Sequence, residues 1–140
     1  MFGKTLGLIM KDKAILCVDD EKVVLDSLRD QLRANFKDAV ILEFAESSDE
    51  ALEIIDELNE DEIKILLIIS DWLMPGMKGD EFLSRIHKRF PKITKVLLTG
   101  QADPHAIEKA KSSEYLNHLL QKPWDSAEII KIVREAVGVE

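Results

Sequence analysis

From residue 14 onward, short apolar runs alternate with stretches in which apolar residues recur every three or four positions. The runs fall at 14–18, 39–44, 65–69, 94–98 and, more weakly, 117–120. They are too short for helices and sit between polar residues, so they read as strands buried on both faces. The first helical stretch places Val24, Leu25, Leu28, Leu32 and Phe36 on one stripe. The second opens at a capping box, Ser47 with Glu50, and turns Ala51, Leu52, Ile55 and Leu58 inward. A third carries Phe82, Leu83, Ile86 and Phe90, has Arg85, Lys88 and Arg89 toward its C-terminal end, and stops at Pro91. A fourth takes Asp103 as N-cap and Pro104 as its first residue. The fifth starts near Asp125, with Glu128 three residues on, and runs through Ile129, Ile132, Val133 and Ala136. Five strand–helix units with right-handed crossovers predict a doubly wound (βα)5 domain: α/β, with a five-stranded parallel sheet between helices on both faces.

The expected boundaries are a domain over 13–138 and an N-terminal tail over 1–12. That tail carries Lys4 and Lys11 around a short apolar stretch at 6–10, too short for a signal-peptide core.

Composition narrows the function classes. A chain of 140 residues with 46% hydrophobic and 33% charged side chains can bury one ordinary core. Its net charge of −8 argues against direct nucleic-acid binding, which relies on basic residues neutralising phosphates. No apolar run reaches the ~20 residues of a membrane helix, so no membrane partner is expected. The lone Cys17 excludes an internal disulfide and a cysteine-based zinc site; it is consistent with a reducing compartment, and the expected location is cytoplasmic. Within the first apolar run it reads as a small core residue. His87, His105 and His118 lie in different units without ligand spacing and read as surface or partly buried residues.

In a doubly wound sheet the ligand site lies beyond the carboxyl ends of the strands. The first run is followed by Asp19-Asp20-Glu21, the third by Asp71, the fourth by Thr99-Gly100 and the fifth by Lys122-Pro123. Three aspartates and one lysine on a shared edge leave a net charge of −2, which a hard divalent cation would complement. Mg²⁺ fits best, because it binds through one or two carboxylates and accepts substrate phosphate oxygens. A phosphoryl group could then be met by the cation on one side and by Lys122 and the Thr99 hydroxyl on the other, with Asp71 as attacking oxygen. Singly, each residue has a plainer reading: Asp20 a helix cap, Asp71 and Thr99 turn residues, Lys122 a solvated charge.

With the acidic pair Asp19-Asp20, the segment running from Asp71 through Met74-Pro75 to Gly79, Thr99-Gly100 and Lys122-Pro123, the chain resembles the receiver domain of two-component response regulators, a flavodoxin-like fold. The resemblance implies that Asp71 accepts phosphate from a histidine kinase or histidine phosphotransfer protein. It also implies that Asp20, Asp71 and the backbone carbonyl of Leu73 ligate Mg²⁺ directly, with Asp19 helping through water, and that Thr99 and Lys122 hold the phosphoryl oxygens. The implied role is a phosphoacceptor that dephosphorylates itself slowly, not a turnover enzyme. Its signal would pass to an output protein or a second copy through the face made by the fourth helix, fifth strand and fifth helix. Residues 97–103 and the Lys122-Pro123-Trp124 ending are similar to a subgroup often joined to nucleotide-signalling or kinase modules. One position departs from the family pattern: an aromatic residue usually stands three before the lysine, and here it is Leu119.

Two other readings share the fold. An aspartyl-phosphate hydrolase would want an acid two residues after its nucleophile, where this chain has Leu73. A flavin-binding protein would need a phosphate cradle where Asp19-Asp20-Glu21 would repel an anion. A pseudo-receiver that only docks to other proteins is the remaining alternative. Trp124, one residue before the Asp125 cap, is expected to staple onto Ile129 or to serve as an aromatic anchor on the output face.

Overall fold

The computed structural model describes residues 11–100 and 103–138; the apolar tail stretch at 6–10 and Gln101 lie outside them. Five parallel strands, β1 (Lys13–Val18), β2 (Ile41–Ala45), β3 (Lys64–Asp71), β4 (Thr94–Thr99) and β5 (His118–Gln121), form one sheet in the order β2-β1-β3-β4-β5. The helices are α1 (Lys22–Phe36), α2 (Ser48–Glu60), α3 (Gly79–Arg89), α4 (Pro104–Lys111) and α5 (Ser126–Val137). This is the doubly wound α/β architecture that the alternation of runs and stripes predicts.

Strand alternation divides the core into two layers. Ile15, Cys17, Leu67, Ile69, Val96 and Leu98 face α1 and α5, meeting Leu28, Leu32, Ile129 and Val133. Ala14, Leu16, Val18, Ile68 and Leu97 face the other way, toward Ile55 of α2 and Phe82, Leu83 and Ile86 of α3. Helix α4 contributes only Ala110 as a buried residue, with Ala106 and Ile107 packed at the margin. It is the least deeply seated of the five helices and the one with least apolar burial to oppose a shift.

Where the boundaries differ from the pattern, the cause is local. The second strand begins at Ile41, two residues late, because the amides of Ala39 and Val40 both donate to the carbonyl of Phe36 and finish the turn that ends α1. Ser47 caps α2 through the amide of Glu50, but the Glu50 carboxylate reaches back to the amide of Glu46, one residue earlier than the standard box. Asp103 and Asp125 cap α4 and α5 as expected, each accepting from the amide two residues on. The N-cap of α1 is Glu21, which removes the plain capping role considered for Asp20. Leu52 and Ala136, read as inward-facing, are only half-buried.

Lys95 is an exception to the apolar rule inside a strand: it is buried, and its ammonium donates to the carbonyl of Ile93 at 2.6 Å and more weakly to that of Pro91 at 3.4 Å. Burial lowers its pKa, and the carbonyls of the α3–β4 turn offset part of the desolvation. His87 and His118 are half-buried, His105 is exposed, and Cys17 is fully buried.

Candidate functional site

Parallel strands end on the same side, so the residues that terminate β1, β3, β4 and β5 converge. Asp71 is the last residue of β3, in register with Leu98 of β4, and Thr99 is the last of β4. Asp19 follows β1 directly and is held by its backbone amide, which donates to Ala45 of β2 at 3.0 Å. Its carboxylate accepts from the amide of Glu21 at 2.8 Å, which fixes the turn into α1. The backbone of Lys122 is tied to β4 by its amide donating to the Thr99 carbonyl at 2.8 Å.

The side chains meet at the Lys122 ammonium. It lies 2.9 Å from Asp19 Oδ2, 2.9 Å from Asp71 Oδ1 and 3.3 Å from Glu21 Oε1. Asp19 and Thr99 are fully buried and Asp71 nearly so, whereas Asp20 is exposed at the mouth. One carboxylate oxygen from each of Asp19, Asp20 and Asp71 lies within 4.8 Å of the others. Leu73 sits in the turn after β3 with its side chain half-exposed.

Electrostatics follow from this burial. Desolvation pushes the Asp71 carboxyl up to about 6; the Lys122 hydrogen bond opposes that rise and the neighbouring Asp19 charge adds to it. Asp19 is also raised by burial, held down in part by the Glu21 amide and by Lys122. Desolvation acts to lower the pKa of Lys122, but its hydrogen bonds and charge pairing with Asp19 and Asp71 win and hold it above the usual lysine range. The ammonium is therefore a fixed positive charge at neutral pH. The carboxylates outnumber it, so the donor set is one in which a hard, oxygen-seeking divalent cation fits.

The turn after β3 is shaped by close packing. Ser70 Oγ donates to the carbonyl of Asp71 at 2.9 Å, and the amide of Gly79 donates to the carbonyl of Trp72 at 2.8 Å. Gly76 takes a φ of +80°, a left-handed conformation that glycine adopts without a Cβ penalty. At Gly79 a Cβ would penetrate the Asp71 carbonyl oxygen and come within 2.9 Å of its carbon. The start of α3 thus lies directly against the backbone that presents Asp71.

All five residues singled out at the strand ends, Asp19, Asp20, Asp71, Thr99 and Lys122, lie at one edge of the sheet, where the side chains of Asp19, Asp20, Asp71 and Lys122 meet. Sequence reasoning did not find the Glu21 contact to Lys122, although Glu21 completes the acidic run after β1. Nor did it find why Gly79 must lack a side chain, since that depends on how closely β3 and α3 approach. Trp124 packs against the core layer that contains Ile129, and its indole Nε1 donates to Gln31 Oε1 of α1 at 3.0 Å, a contact that no local pattern announces.

The fold and site define a parallel doubly wound domain with buried carboxylates and a paired lysine at its strand ends. The family model for the response regulator receiver domain matches residues 15–134, and the chain belongs to that family. It is 31% identical over 130 residues to the hydrogenase transcriptional regulatory protein HoxA of Cupriavidus necator, covering 93% of this chain and 25% of that protein. Among solved structures it is similar to the signal receiver domain of an HD domain-containing protein from Pseudomonas fluorescens Pf-5, with a TM-score of 0.77, 32% identity, and coverage of 93% of this chain and 90% of that one. It is also similar to a structure described as adenylate cyclase from Rhodopirellula baltica, with a TM-score of 0.75, 26% identity, and coverage of 92% and 89%. The chain spans about a quarter of the length of the first curated relatives it matches. Among the described residues no helix is long and apolar enough to cross a membrane.

Proposed function

We propose that this receiver domain, spanning 13–138, is a working phosphoacceptor in a histidine–aspartate phosphorelay, with Asp71 as the residue that takes the phosphoryl group. The observation that carries the reading is the Lys122 ammonium bonded to two buried carboxylates from different strands, with a third carboxylate beside them. In the transfer step an Asp71 carboxylate oxygen forms the new bond to phosphorus as the phosphorus–nitrogen bond of a phosphohistidine breaks, and the electron pair returns to the imidazole. The donor is a histidine kinase or a histidine phosphotransfer protein. Lys122 turns from Asp71 to the incoming phosphoryl oxygens, and Thr99, buried at the end of β4, offers its hydroxyl to the same oxygens. Asp19, Asp20, Asp71 and the Leu73 carbonyl would hold Mg²⁺, which supplies positive charge to offset the crowded anions. The domain is expected in the cytoplasm, without direct contact to nucleic acid.

The signal leaves through the α4-β5-α5 face, to an output protein or a second copy of the chain. Its support is the shallow seating of α4 and a cleft between Ile107, Leu119, Pro123 and Trp124. Leu119 is half-buried there and has less area than an aromatic ring, so its burial contributes less to the difference between two states.

Intact-mass measurement after exposure to a small acyl phosphate tests this reading. One phosphoryl group per chain is expected with Mg²⁺ and essentially none in excess chelator; equal incorporation under both conditions contradicts it, and no incorporation at all leaves the pseudo-receiver reading.

The lifetime of the phosphoryl group gives a second expectation. Hydrolysis needs a water in line behind phosphorus, and Leu73, apolar and half-exposed at the mouth, cannot orient one. Gln101, the other residue that sequence places near this approach, lies outside the described residues. Leu73→Asn should lose its phosphoryl group about 3- to 10-fold faster than the parent, a fraction of what a fully aligned base supplies. Equal or slower loss, followed by timed intact-mass spectra, would refute the shielding role.

A further inference from the structure

We propose that Trp124 and Gln31 are positioning residues for phosphoryl transfer, a latch between the β5–α5 loop and α1 that holds Lys122 against the acidic strand ends. The inference rests on the phosphoacceptor reading and assigns it two residues outside the pocket. Strand β5 is four residues long and lies at the edge of the sheet, so only β4 fixes it. Among the described residues the loop it feeds is tied, apart from the Lys122 ion pairs and the packing of Trp124 on the layer around Ile129, by the Lys122 amide to Thr99, the Asp125 cap on its own helix, and the Trp124 indole. Of these, the indole is the contact that crosses to α1. Its Nε1 donates to Gln31 Oε1 at 3.0 Å, and Gln31 Nε2 in turn donates to Ser27 Oγ at 3.2 Å, one turn back along the same helix. The amide of Gln31 is thereby oriented with its oxygen toward the indole, and all three side chains are half-buried.

The helix that receives Trp124 begins immediately after Asp19-Asp20-Glu21. Two of those acids are the ones the Lys122 ammonium touches. The latch and the ion pairs therefore close a ring: from Lys122 to Asp19 and Glu21, along α1 to Gln31, across to Trp124, and back two residues to Lys122. A lysine side chain has a long, flexible stem, and its head is useful to an incoming phosphoryl group only if its backbone is held at the correct distance. Loosening one side of the ring should widen the distribution of ammonium positions and leave the carboxylates in place.

The test compares phosphorylation rates with a small acyl phosphate and Mg²⁺ for Gln31→Leu, which removes the acceptor; Trp124→Phe, which keeps a ring and removes the donor; Gln31→Glu, which keeps an acceptor; and the Gln31→Leu/Trp124→Phe double variant. Gln31→Leu and Trp124→Phe should each phosphorylate about 3- to 10-fold more slowly, a small part of the cost of a full ångström of misplacement. Gln31→Glu should retain the parental rate, and the double variant should be no slower than the worse single one, because both substitutions break one contact. Unchanged rates, failure of Gln31→Glu to retain activity, or additive losses would each overturn the latch while leaving the phosphoacceptor reading intact. A parent that takes up no phosphate would overturn both.

Discussion

Gly79→Ala is expected to destabilise the domain by about 3 kcal/mol, the upper end of typical overpacking, and to cut phosphorylation about 100-fold. The added methyl would occupy the space of the Asp71 carbonyl oxygen and press on the carbonyl carbon from 2.9 Å and on Ser70 Oγ from 3.0 Å. These are backbone atoms and a hydroxyl already committed to that carbonyl, so nothing at the site yields cheaply. Relief requires α3 to withdraw, against the burial of Phe82, Leu83 and Ile86, or β3 to bend at the residue that presents the phosphoacceptor. Urea denaturation checks the first figure and intact-mass kinetics the second. A loss below about 1 kcal/mol with parental phosphorylation would mean that the β3–α3 approach is looser than described.

The second large effect is a pH dependence. In the folded protein without metal the Asp71 carboxyl titrates at about 6, against an ordinary value of 3.8. The folded state therefore holds its proton more tightly than the unfolded chain does, and stability falls as pH rises between those two values. Two pKa units correspond to about 3 kcal/mol, present as a penalty at neutral pH and absent below pH 4. Lys122 stays charged throughout that window, so it adds no slope of its own. In excess chelator, Asp71→Asn should be more stable than the parent at pH 7 by up to about 3 kcal/mol, the Lys122 contact being already counted in the net shift. The advantage should vanish near pH 4, and Mg²⁺ should stabilise the parent far more than the variant. Glu43 is raised by burial and by Glu57, away from the site, and cancels in the difference, which reports on Asp71 together with the Asp19 coupled to it. Parallel stability–pH curves for the two would contradict the assignment of a strained, buried carboxyl.

Most of the architecture was legible because parallel strands buried on both faces must be nearly continuous apolar runs, and because Pro91, Pro104, Ser47, Asp103 and Asp125 mark helix ends by simple backbone chemistry. The site was legible for a related reason: parallel strands present their ends on one side, so reading the residue after each run reads the edge of the sheet. What escaped were features set by distances between elements that are remote in sequence. The late start of β2 depends on two amides completing the last turn of α1. The buried Lys95 depends on carbonyls of the α3–β4 turn reaching its ammonium. The roles of Gly79 and of the Trp124–Gln31 pair depend on how closely a helix approaches a strand or a loop. Trp124 shows the limit well, since its expected packing with the layer around Ile129 is present, and its bond to α1 was invisible from periodicity.

The central claim is that Asp71 is the covalent acceptor, and peptide mapping after treatment with a small acyl phosphate and Mg²⁺ tests it most directly. A single phosphoryl group on the peptide containing Asp71, lost completely in Asp71→Asn, is the predicted result. Undiminished labelling of Asp71→Asn, or a phosphoryl group mapped to another residue, would contradict it.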